Sequence, residues 1–183
     1  MRTDVQQGPE IWIRGPVAVP EPEPGQEPRS PEPEPARATA PASAAPRRFS
    51  FLGTHGGAGT STLASVYGGH DCGRDWPGPA DPPSVLLVAR THAAGLHAVL
   101  RAVEVFRRGE APPGLDLDAV VLVADAPGRL PRPLAQQVKA IESAIDVYRV
   151  PWVTAWRLGD LGRTRPREAE ALARLTGAAG RSR

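Results

Sequence analysis

The stretch FLGTHGGAGTSTL, residues 51–63, decides how the rest of the chain is read. An apolar run, Phe49–Leu52, leads into Gly53, and a glycine-rich turn then runs into a segment with helical spacing of Leu63 and Val66. A strand, a glycine-rich turn and a helix in that order form the setting in which backbone amides wrap an anion. Glycines at 56, 57 and 59 let the N–H groups turn inward, and a helix starting near Thr60 adds the positive end of its dipole. Thr54, His55, Gly56, Gly57, Ala58, Gly59, Thr60, Ser61 and Thr62 are therefore the candidate phosphate-binding residues, and the Ser61 or Thr62 hydroxyl is a candidate ligand for Mg²⁺.

Outward from this loop the strand-then-helix alternation repeats. Ser84–Ala89 (SVLLVA) and Ala119–Ala124 (AVVLVA) are all-apolar strands, and Val147–Val150 is a shorter one. Between them, Leu96, Val99, Leu100, Val103 and Phe106 mark one helical stripe, with Thr91 as the expected N-cap and Gly109 as the stop. Leu134, Val138, Ile141 and Ile145 mark the next, and a last helix is expected from about Pro166 through Leu172 and Leu175 to Gly177. Residues 68–83, rich in Gly, Pro and Asp, read as a loop. Strands that are apolar throughout are buried on both faces. The expected fold is thus α/β, a three-layer, mostly parallel sheet of about four strands with flanking helices. Its ligand edge is the one where the strands end.

The string HGGAGTST resembles the deviant phosphate loop of the ParA/MinD ATPases, Lys-Gly-Gly-x-Gly-Lys-[Ser/Thr]. In that alignment His55 stands at the signature lysine, Thr60 at the phosphate-loop lysine and Ser61 at the Mg²⁺ hydroxyl. Both lysines are replaced. The resemblance extends over residues 49–160 in either of two registers. In the first, Ala89 and Thr91 replace the acids of the second strand, and Asp125 is the Mg²⁺-side acid. In the second, VLLVARTHAAGL matches a late strand and helix, so Asp125 and Arg129 line the base side and the segment holding the catalytic acids is missing. The resemblance implies Mg-ATP as cofactor, with weak binding of a nucleotide or another phosphate anion and little or no hydrolysis. It also implies action through a protein partner, and it admits a homodimer. An active partition-type ATPase and a ligand-free interaction module on a relic phosphate loop are the alternatives. The phrase ADAPGRLP…VPWV-x-AWRLG further resembles a family of actinobacterial proteins that brings no defined activity.

Single residues carry paired readings. Arg90 either replaces a missing lysine as a phosphate contact or is a surface arginine at a strand end. Asp125 either serves the ligand or caps its own turn before Pro127 and Gly128. Trp152 and Trp156 stack on a nucleotide or partner, or pack against the domain. His70, Asp71 and Cys72 are sequence neighbours with no second ligand cluster, which argues against a metal centre there.

Residues 1–46 contain eleven prolines and two EPEP repeats, at Glu21–Pro24 and Glu32–Pro35. That composition predicts a disordered, locally polyproline-like arm ahead of a domain over 47–183. Within the arm, Ile11-Trp12-Ile13 and Val17-Ala18-Val19 form an apolar patch, read as a chance cluster or as a docking motif for a partner. Lys139 is the only lysine among 22 basic residues, the coding bias of a GC-rich genome. The net charge of +2 is too small to argue for nucleic acid. Glu168 and Glu170 dilute the C-terminal arginines 163, 165, 167, 174, 181 and 183. The single cysteine, Cys72, allows no internal disulfide, and no apolar run reaches the roughly 20 residues of a membrane span. The expected location is the cytoplasm.

Overall fold

The computed structural model describes residues 47–162 and 165–179. The expectations for the proline-rich arm and for arginines 163, 181 and 183 lie outside those residues. The chain runs β1 (Phe49–Gly53), α1 (Thr60–Tyr67), β2 (His70–Asp71), β3 (Ser84–Arg90), α2 (Ala93–Arg107), β4 (Asp116–Val123), α3 (Arg132–Glu142), β5 (Val147–Val150) and α4 (Thr154–Arg157). A 3₁₀ turn, Arg167–Ala169, then leads into α5 (Glu170–Leu175).

All five strands are parallel, in the order β2-β1-β3-β4-β5. Side chains alternate across a strand, so each apolar run feeds two cores. Phe49, Phe51, Leu86, Val88 and Val121 face α1 and the C-terminal α5, meeting Leu63, Val66 and Leu172. Leu52, Val85, Leu87, Val120 and Leu122 face α2 and α3, meeting Leu96, Val99, Val138 and Ile141. The three-layer α/β expectation holds, with one more strand than expected.

That extra strand lies inside the segment read as a loop. His70 and Asp71 pair with Ser50 and Phe51 of β1, and both are exposed. Two other details depart from the sequence reading. The N-cap of α2 is His92, whose Nδ1 accepts from the Gly95 amide at 3.0 Å, while Thr91 accepts from the Asp125 amide instead. The helix α3 ends at Glu142, so Ile145 packs on the core from beyond it.

The order of the strands positions the edge that carries the glycine-rich loop. From β1 the chain moves outward to β2 through α1, and it then returns across β1 to β3, whose helix lies on the opposite face. The connections leaving β1 and β3 therefore diverge to opposite faces, and such a divergence leaves a crevice at the carboxyl ends of the two strands. Leu87, fully buried at the centre of this sheet, sets a benchmark for the fold. Leu87→Ala should lower the free energy of urea unfolding by about 2–5 kcal/mol. Leu158→Ala, at a side chain 82% exposed, should stay within about 0.5 kcal/mol of wild type.

Candidate functional site

The loop between β1 and α1 occupies that crevice. Thr54 anchors its start, with its amide 2.9 Å and its hydroxyl 3.2 Å from the Val88 carbonyl. His55 comes next and bridges the two diverging connections. Its Nε2 lies 2.9 Å from the Arg90 amide and its Nδ1 2.9 Å from the Gly56 carbonyl. An amide only donates, so Nε2 accepts, and the ring proton sits on Nδ1 and is given to Gly56. His55 thus spends both ring nitrogens on backbone and ties the loop to β3.

Beyond His55 the chain turns through Gly57 (φ 73°) and Gly59 (φ 108°), backbone angles that side chains rarely tolerate. Gly59 is the N-cap of α1, and no side chain caps the helix. Among the described residues, the amides of Gly57, Gly59 and Thr60 have no protein acceptor. The amides of Gly56, Ala58, Ser61 and Thr62 likewise have none among the described residues, and unpaired donors at a helix start lacking a cap are what an anion would satisfy. Gly56 and Gly57 are exposed, Ala58 and Thr60 are buried, and in the first turn Ser61 is exposed and Thr62 half-buried.

Arg90 closes the loop from the β3 side. Its Nε donates to the Gly57 carbonyl at 3.2 Å and its Nη1 to the Ala124 carbonyl at 3.1 Å. Burial lowers the guanidinium below its ordinary value, repulsion from Arg157 lowers it further, and Asp125 pulls the other way. Arg90, the loop and Asp125 therefore meet at one edge.

Asp71 is the residue that sequence reasoning set aside. It stands at the end of β2, next to β1, with the Gly73 amide 3.0 Å from its Oδ1. Burial raises its carboxyl, but the Ser61 hydroxyl, the Gly73 amide and the Thr60 hydroxyl together hold it below the usual carboxylate range. The acid beside Ser61 is thus Asp71. Asp125 sits two strands from β1, at the end of β4. A hydroxyl and an ionised carboxylate side by side suit Mg²⁺, which takes one or two protein oxygens and completes its shell with water and phosphate. Among the described residues, no three His, Cys, Asp or Glu side chains converge as a metal cluster. The only sequence signal for Asp71 is its place in GGHDCG at the far end of α1.

Two cavities open near this edge of the sheet. One, of ≈ 230 Å³, lies beside the start of α1 and is lined by Gly59, Thr62, Arg90, Trp152, Trp156 and Arg157. The other, of ≈ 500 Å³, lies on the α3 side, with Leu122, Leu134 and Val138 in its wall and His92, Asp125 and Arg129 at its rim. Of the two tryptophans, Trp156 packs edge-on to Tyr67 at 6.4 Å, and Trp152 carries Arg157 over its ring.

Residues 49–174, from the first residue of β1 into α5, match a family described as a family of unknown function (DUF6668), and the chain belongs to that family. No curated protein and no solved structure matches it.

The His55 bridge requires α2 to approach closely. A Cβ at Gly95 would run into the Arg90 carbonyl and stand 2.9 Å from His55 Nε2. Helix propensity alone makes Gly95→Ala stabilising by about 1 kcal/mol. Strain of about 1–3 kcal/mol from overpacking opposes it. Chemical denaturation should show a net loss of stability, and a gain would mean that the loop and α2 are not held this close.

Proposed function

We propose that this member of the family binds a phosphate-bearing ligand, a nucleotide or another phosphate anion, at the loop Thr54–Thr62. It does so with little or no hydrolysis and acts through a protein partner. The observation that carries this reading is the set of amides at Gly57, Gly59 and Thr60, which have no protein acceptor at an uncapped helix start. Arg90 stands against the same loop and supplies the fixed positive charge that the resemblance to ParA/MinD ATPases assigns to lysine. Arginine suits that task because its planar fork matches phosphate oxygens. Ser61 and Asp71 are the residues that would hold Mg²⁺, which would neutralise phosphate charge there.

Slow or absent hydrolysis follows from what the loop lacks. The chain's one lysine, Lys139, lies on α3, across the sheet from α1. Neither lysine position of the loop holds a lysine, and Arg90 reaches the loop from β3 to replace at most one of the two charges, whereas transfer of a phosphoryl group depends on charges placed at its developing oxyanions. A second reading is favoured by the hydrogen bonds of His55 and Arg90, which hold the loop in shape without a ligand. In that reading the domain is a ligand-free interaction module.

Calorimetric titration of the full chain separates the two. Mg-ATP, Mg-ADP or Mg-GTP should bind with micromolar affinity, and Gly59→Val should abolish the heat, since valine cannot adopt the φ of 108°. No heat with any of them at millimolar ligand would leave the interaction module. Steady ATP turnover that disappears in Thr60→Ala or Ser61→Ala would instead establish an active ATPase.

A further inference from the structure

Arg157, the last residue of α4, shares a cleft with Arg90. That cleft, of ≈ 230 Å³, also takes in Gly59, Thr62, Trp152 and Trp156, and no acidic residue lines it. Among the described residues, neither arginine takes part in an ion pair. Neither is loose. Arg90 is fixed by the Gly57 and Ala124 carbonyls, and the Arg157 guanidinium carbon lies 4.4 Å from the centre of the Trp152 ring. Cation–π attraction of this kind holds the charge in place without neutralising it.

Two fixed cations that share a partly desolvated cleft repel each other. The lowering of Arg90, by burial first and by Arg157 second, is the sign of that cost. Asp125 offsets part of it for Arg90 but is not among the residues of the cleft. An anion between two guanidinium groups converts the repulsion into two charge-assisted contacts, and phosphate oxygens match the fork of each. Size narrows the occupant. Pockets that enclose a drug-sized molecule run to about 300–1,000 Å³. At ≈ 230 Å³ this cleft suits a diphosphate group better than a whole nucleoside.

We propose that Arg157 is the second cation of the anion site, and that Arg90 and Arg157 clamp a diphosphate group between the start of α1 and α4. The proposal rests on the reading of residues 54–62 as a phosphate site. It adds a binding residue 95 positions beyond that loop's end and a class of ligand, a diphosphate either free or carried by a nucleotide.

Titration of the full-length protein with pyrophosphate and with ADP tests it, using wild type, Arg157→Ala, Arg157→Lys and Gly59→Val. Arg157→Ala should weaken both probes at least about tenfold, the loss of one charge-assisted contact, with the melting temperature unchanged. Arg157→Lys should recover part of that loss. Tighter binding of ADP than of pyrophosphate would name a nucleotide as the carrier, and the reverse order would name the free anion. If Arg157→Ala binds both probes like wild type while Gly59→Val binds neither, the loop reading stands and the clamp is wrong. If only ADP is weakened, Arg157 serves the nucleoside, and the diphosphate assignment fails. Absence of binding by the wild type overturns the loop reading and the clamp together.

Discussion

Parallel pairing of β1 with β2 on one side and β3 on the other is the constraint from which the crevice holding the glycine-rich loop follows. A parallel neighbour is reached only by a crossover, and right-handed crossovers to opposite sides place their helices on opposite faces. The chain therefore leaves β1 towards α1 and leaves β3 towards α2, and a gap opens between them. His55 spans the gap by accepting the Arg90 amide, while the Arg90 side chain returns to the Gly57 carbonyl. One pair of residues thus fixes the loop conformation and delivers a cation to it.

This arrangement explains how a glycine-rich loop that contains no lysine keeps its shape. In solution a loop with positive φ at Gly57 and Gly59 has many competing conformations, because glycine restricts the backbone least. Here three anchors remove them. Thr54 holds the start on Val88, His55 holds the bend on Arg90, and α1 begins directly after Gly59. The amides left over have no protein acceptor among the described residues, so a fixed conformation and unpaired donors coexist in the same few residues. A ligand would then meet donors already arranged, at little ordering cost.

The sequence makes β3 and β4 legible because both faces of each are buried, which forces continuous apolar runs such as VLLVA and AVVLV. The strand β2 escapes the same logic. His70 and Asp71 are exposed and joined to β1 through backbone alone, so no side-chain pattern marks them. With β2 unseen, Asp71 could not be placed beside Ser61. His55 is visible as a substitution within a motif, but its bond to the Arg90 amide depends on a contact 35 residues away. The meeting of Arg90 with Arg157 is further from any local signal, since it needs β3, β5 and the short α4 to be assembled first. Periodicity reports burial, and it does not report which polar side chains the assembled edge will bring together.

Under the proposed function, the amides at the start of α1 receive a phosphate anion. The most direct measurement follows the backbone amide resonances of the ¹⁵N-labelled full chain during titration with Mg-ADP. The account predicts saturable downfield shifts at Gly57, Gly59 and Thr60, the change expected when an N–H gains a charged acceptor. Those three resonances staying in place at millimolar ligand would contradict it.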